Sequence, residues 1–143
     1  MKWFYIAASI AGVGWMVVLL VAQMSAPMNN SQLKSTTSEL RSYAVEGQLL
    51  AEQAAQSRAP SIYRHVYAAK LADLVNQSQQ SLNDASCIRP EVRRSAQTIA
   101  RLSEQVHSQI DHLAVADLRP SEAAKLAAQL AVSARELDAG AQP

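Results

Sequence analysis

The densest run of chemically capable side chains in this sequence is Tyr63, Arg64, His65 and Tyr67. Tyr63 and Tyr67 stand four apart, so on a helix they share one face, and Arg64 adds a planar fork of donors beside them. Such a set suits a small polar pocket or a contact surface, because Tyr and Arg concentrate where proteins bind partners. The plainer reading makes the two tyrosines the largest core residues of an otherwise Ala-rich bundle. Tyr63, Arg64 and Tyr67 are therefore candidate partner or ligand contacts. A second set is Arg89, Arg93, Arg94 and Arg101, a local basic patch that could meet an acidic partner or anionic headgroups. Glu91 and Glu104 lie among them, so a solvated helix face competes with that reading. Arg93, Arg94 and Arg101 join the candidate contacts.

His107 and Asp111 have the i, i+4 spacing that can place two ligands on one metal, with His112 next in line. His112 points about 100° away from Asp111 on a helix, and no local cysteine or second carboxylate completes a set. The histidines therefore read as solvated or core-edge residues, and no metal is expected. The lone Cys87 reads as a small half-buried hydrophobe, with an intermolecular disulfide or an attached lipid as the alternatives. No haem-attachment motif, phosphate loop, nucleophile elbow, HExxH or paired carboxylate site occurs, so neither an enzyme nor a cofactor is expected.

The elements that position these residues divide into two parts. The first 24 residues contain 19 from the set AVILMFWYC, whereas the remaining 119 contain 51, of which 22 are alanine. Beyond residue 24 the aromatic residues are Tyr43, Tyr63 and Tyr67, so the core there must be thin, helical and Ala-rich. With Gly 4 and Pro 5, and without Val/Ile/Thr alternation, a turn-rich β fold is excluded. After Lys2 there are 12 basic and 12 acidic residues, and this neutrality argues against general nucleic-acid binding.

From Trp3 to Met24 no residue is charged, and the run is long enough to cross about 30 Å of hydrocarbon as a helix. A signal peptide is the competing reading, but the run exceeds the usual h-region, and cleavage after Ala26 would leave Pro27 directly beyond the cut. Residues 1–24 are therefore expected to be a membrane anchor. Trp3 and Tyr5 suit an interfacial aromatic belt, while Ala8, Gly12 and Trp15 suit packing against another span. Lys2 precedes the run and the next charge is Lys34, so the positive-inside rule puts the N-terminus in the cytoplasm. The expected location is the inner (cytoplasmic) membrane, single-pass, with the C-terminal part periplasmic or extracellular.

Residues 25–32 read as a juxtamembrane linker, 33–138 as a helical domain and 139–143 as a disordered tail. Leu33, Leu40, Gly47 and Ala54 recur every seven residues, with Tyr43 and Leu50 between them, which predicts a helix over 33–58 packed closely against another. Pro60 predicts a turn or a kink. A second helix over 61–85 would bury Tyr63, Val66, Tyr67, Leu71, Leu74, Val75 and Leu82, and residues 83–90 form a connection. Val92, Ala96, Ile99, Leu102, Val106, Ile110 and Leu113 predict an amphipathic third helix running to Arg119. A shorter fourth over 121–138 carries Ala123, Leu126, Ala127, Leu130, Ala134 and Leu137 on one side.

The expected fold is all-α: one transmembrane helix followed by an antiparallel, coiled-coil-like bundle of three long helices and a shorter fourth. The expected function is an accessory or scaffolding subunit of a larger membrane complex. Its partners would be the bilayer and other complex proteins, or a second copy by self-association. The alternatives are a membrane-anchored ligand-sensing bundle, or an envelope-spanning tether or lysis protein.

Overall fold

The computed structural model describes residues 29–84 and 90–140. Among these the chain forms four helices: α1 (Asn30–Ala55), α2 (Ser61–Asp84), α3 (Pro90–Leu113) and α4 (Pro120–Gly140). They build a four-helix bundle. No described helix is long and apolar enough to cross a membrane. The expected span, with Trp3, Tyr5, Ala8, Gly12 and Trp15, lies outside the described residues, as do residues 25–28, Cys87, Arg89 and 141–143.

The start of α1 is set by a capping box. The Gln32 amide N–H donates to Asn29 Oδ1 at 2.9 Å, and the Asn29 N–H donates to Gln32 Oε1 at 3.1 Å, satisfying two of the helix's orphan donors. The Asn-x-x-Gln spacing moves the helix start three residues ahead of the first stripe residue, Leu33. At the other end, Arg58 N–H reaches Gln53 O and Ser57 N–H reaches Ala54 O, with Ser57 at φ 54°. This is a Schellman ending, and a serine holds the left-handed position that glycine adopts most easily. Pro60 follows and α2 turns back, so this segment is a hairpin turn and not a kink.

The helices run antiparallel around the bundle in chain order. Tyr67 on α2 meets Glu46 on α1, Arg64 on α2 meets the end of α3, Gln105 on α3 meets Ser133 on α4, and Arg41 on α1 meets Asp138 on α4. The most extensive contact joins first and last, α1 against α4; α1 and α3 touch only slightly across the diagonal, and α2 and α4 do not meet. Small residues bring α1 close. Ala44, Gly47 and Ala51 are buried, and a Cβ added at Gly47 would stand 3.2 Å from Ile110 and 3.3 Å from Leu130, so Gly47 is the point where α3 and α4 both approach the α1 backbone. The heptad of Leu33, Leu40, Gly47 and Ala54 is buried as its spacing predicts.

Three expectations are corrected. First, α3 ends at Leu113, six residues before Arg119, because carbonyls beyond this point are bonded by side chains of α2 instead of by further helix turns. Second, the helices span 26, 24, 24 and 21 residues, so the fourth is less distinct in length than expected. Third, the buried face of α2 is Arg64, Ala68, Leu71, Ala72, Val75, Ser78 and Leu82, while Tyr63 and Val66 are exposed and Tyr67 and Leu74 only partly buried. A charged residue in the inward register has rotated the large apolar ones outward.

The α3 stripe is the best-formed side of the core: Ile99, Val106, Ile110 and Leu113 are fully buried. Replacing Ile99 or Val106 by Asp forces an unpaired charge among them, at a cost of roughly 3 kcal/mol or more. Either variant is expected to lose most of its far-UV helicity at room temperature, and a cooperative unfolding transition close to that of the unmodified chain would show the stripe to be dispensable.

Candidate functional site

The end of the bundle away from Asn29 gathers the start of α2, the end of α3 and the 114–119 connection. Ser61 begins α2 directly after Pro60, which places Arg64 one turn in, with its side chain against the C-terminus of α3. There Arg64 Nε donates to Leu113 O at 3.0 Å, and Nη2 donates to Val115 O at 2.8 Å and Ala116 O at 3.0 Å. The guanidinium thus acts as a remote C-cap. It satisfies carbonyls that a helix terminus leaves open and sits at the negative end of the helix dipole. His65 Nδ1 lies 2.9 Å from Ala114 O, extending the same clamp along the chain.

Tyr63 and Tyr67 stack as their spacing predicts, with ring centroids 5.7 Å apart and planes 15° off parallel. Tyr67 OH donates to Glu46 Oε2 at 3.0 Å, and this bond, more than the neighbouring charge or burial, raises the phenol's pKa above its ordinary value. The Tyr43 phenol is also pushed up, by burial first and then by Glu39 and Glu46. The candidate set therefore divides. Arg64 points inward and is occupied by carbonyls, while the tyrosine pair lies on the flank of α2 facing α1, so the three do not line one pocket.

Arg93, Arg94 and Arg101 are exposed on α3. Leu113, which Arg64 caps, is 20 residues beyond Arg93, about 30 Å along the helix, so Arg93 and Arg94 lie at the other end of the bundle from the tyrosine candidates, with Arg101 midway along α3. Among the described residues no group of three His, Cys, Asp or Glu side chains could hold a metal. His107 Nδ1 instead lies 3.3 Å from Asp111 Oδ2, a half-buried histidine beside an exposed carboxylate within one helix.

Among the described residues, two open grooves stand out. One of about 440 Å³ is lined by His112, Val115, Leu118, Glu122, Lys125, Leu126 and Gln129, and one of about 210 Å³ lies between α1 and α4 around Arg41 and Asp138. The first borders the α4 start, where Pro120 takes the first helical position and Glu122 folds back. Glu122 Oε2 accepts from Arg119 N–H at 3.2 Å and Oε1 from Arg119 Nη2 at 2.7 Å.

Sequence reasoning missed an apolar outer face. Ile62 is 79% exposed, Val66 62%, and Tyr63 and Leu49 each 52%. The available signal was the spacing 64, 68, 71, 75, 78, 82, which fits a buried stripe as regularly as the one built on Tyr63 but begins with an arginine. Comparison with family models, with curated proteins and with solved structures finds no match.

Two outcomes test this end of the bundle. Arg64→Ala is expected to cost about 1–3 kcal/mol in denaturant unfolding, because the buried Leu113 carbonyl and two partly buried ones lose a charged donor, and Arg64→Lys should recover only part of it since one ammonium cannot reproduce the fork. The Glu122 carboxyl is held below its ordinary value of 4.5, chiefly by the Arg119 side-chain bond and then by the Arg119 N–H. Its contribution is therefore complete above that value and is lost as pH falls through the lower folded value. The melting temperature of the unmodified chain should exceed that of Glu122→Gln at neutral pH, and the gap should close on acidification below pH 4.5; a gap constant with pH would remove the ionic part of the cap.

Proposed function

We propose that the protein is a single-pass membrane protein whose helical bundle is an extracytoplasmic interaction domain, serving as an accessory or scaffolding subunit of a larger membrane complex. The observation that carries this reading is the charge-free run Trp3–Met24, placed directly before the bundle. An anchor there would leave residues 29–140 as a stub on the outer side of the membrane, N-terminus inside, with α1 and α3 directed away from the bilayer and α2 and α4 back toward it.

Two further features support contact rather than chemistry. The cationic group nearest the tyrosines, Arg64, is consumed in holding α3, and the large apolar residues rotated outward by it leave a face suited to a protein partner. The four helices also lie side by side, which shortens the domain to about 40 Å and gives less support to an envelope-spanning rod. The ligand-sensing alternative has the groove at His112, Glu122 and Lys125 in its favour, because it joins apolar walls to a few polar groups.

Mild-detergent extraction from the source membrane, size separation and mass spectrometry test the reading. Co-migration of the chain with other proteins at fixed stoichiometry is the expected result. Migration as a small species free of any other protein would remove the accessory-subunit role. Recovery of the chain from the soluble fraction would remove the anchor as well.

A further inference from the structure

We infer that the outer face of α1 and α2 at the end away from Asn29 binds a second copy of this chain, bringing Val66 of one copy against Val66 of the other. The inference rests on the membrane-anchored reading for the orientation of the two copies.

Leu49 on α1 and Ile62, Tyr63 and Val66 on α2 are the most exposed large apolar side chains at this end. At their individual exposures they present roughly 450 Å² to solvent, within the range of the largest patches on monomers. A standard interface removes about 800 Å² per partner at about 57% apolar, so the face matches the apolar part of one protein-sized contact and exceeds what a short peptide would need.

Charge selects the occupant. Between Ala59 and Ala69 the one residue of the Asp, Glu, Lys and Arg classes is Arg64, and it is turned into the bundle. The exposed α1 positions alongside, Leu49 and Gln53, are uncharged too, and the exposed Arg58 of the turn bounds the face on that side. A two-fold contact sets like against like, so exposed charge of either sign near the axis would repel its own copy. A face kept clear of charge satisfies that condition, and offers nothing to select an oppositely charged stranger. The outer surface of α3 contrasts with it, carrying exposed Arg93, Arg94, Arg101, Glu104 and Asp111.

Geometry supports the same pairing. Two copies anchored in one orientation stand with their bundles side by side, related by an axis along the membrane normal. The α2 helices then run parallel, and Ile62, Val66 and Ala69, at spacings of four and three, meet their counterparts over two turns. Lys70 and Asp73 follow in sequence and limit the contact to this end.

The test uses the full chain in detergent micelles and in its own membrane, with Cys87→Ser to remove background thiols. Val66→Cys is expected to give a disulfide-linked dimer under mild oxidation, whereas Val132→Cys, exposed on α4, should not. Light scattering should show Val66→Asp monomeric, with dimer affinity weakened at least about a hundredfold and helicity unchanged, since the residue is on the surface. Equal cross-linking at both positions, or a dimer that Val66→Asp leaves intact, overturns the inference. So does a monomer whose melting temperature falls with Val66→Asp, which would put residues 1–28 of the same chain on the face. A different protein released from the native complex by Val66→Asp overturns self-pairing while leaving the accessory reading in place. Cross-linking at Val66 without any other co-purifying protein does the reverse.

Discussion

Arg64 has to reach the last carbonyls of α3, and the rotation of α2 follows from that reach. Once the guanidinium is inward, Ala68, Leu71, Val75, Ser78 and Leu82 complete the buried stripe at spacings of three and four. The residues offset from that stripe, Ile62, Tyr63 and Val66, have no choice but to face out. The same bonds end α3: carbonyls of Leu113, Val115 and Ala116 that would accept from a continuing helix accept from Arg64 instead. One side chain therefore sets a helix rotation, a helix length and the loop between α3 and α4. A buried arginine without a carboxylate is costly to desolvate, and three aligned carbonyls at a helix C-terminus are a neutral means of offsetting that cost.

The other end of the problem is closure. A bundle of four helices with short connections leaves its first and last members to find each other without covalent help, and here they form the most extensive contact among the described helices. Small side chains make this work, since buried Ala44, Gly47 and Ala51 on α1 let Leu130 of α4 and Ile110 of α3 come up to the backbone. The polar side chains enclosed in this region are paired: Ser133 Oγ donates to Gln109 Oε1 at 3.2 Å and accepts from Gln105 Nε2 at 3.3 Å, tying α3 to α4. No buried side-chain nitrogen or oxygen among the described residues lacks a partner, which is the condition for polar groups in so thin a core.

This division explains which parts of the structure could be read from the residues alone. The class, the number of helices in the bundle and the buried heptad of α1 follow from periodicity, and α3 follows as far as Leu113. Its end does not, because Ala114, Val115 and Ala116 contain no helix-stopping signal and the stop comes from Arg64, 49 residues earlier in the chain. The rotation of α2 was illegible for the same reason: ranking residues by size puts Tyr63 and Val66 inside, whereas a tertiary hydrogen-bond requirement puts Arg64 there. Of the candidate contacts, the stacking of Tyr63 and Tyr67 was readable as a local i, i+4 relation, but their separation from Arg64 was not. The start of α1 was readable in Asn29 and Gln32, and was obscured by the Pro and Asn content of the preceding segment.

The distribution of charge over the bundle then bears on what surrounds it. The outer side of α3 carries both signs along its length, as a solvated helix does, while α1 and α2 are free of exposed charge where Leu49, Ile62 and Val66 stand. Exposing large apolar side chains in water does nothing for folding, and the inward face of α2 is complete without them. Arg64 explains why these positions point outward; it does not explain why they are Ile, Tyr and Val rather than Gln, Lys or Ser, since polar residues there would leave the clamp and the core unchanged. The pairing proposed above would account for apolar side chains at these solvent-facing positions, which the fold does not require. In the anchored arrangement proposed above, the partner surface would be met some 30 Å along α1 from Asn29, beyond the reach of the headgroups, and would therefore be that of a protein.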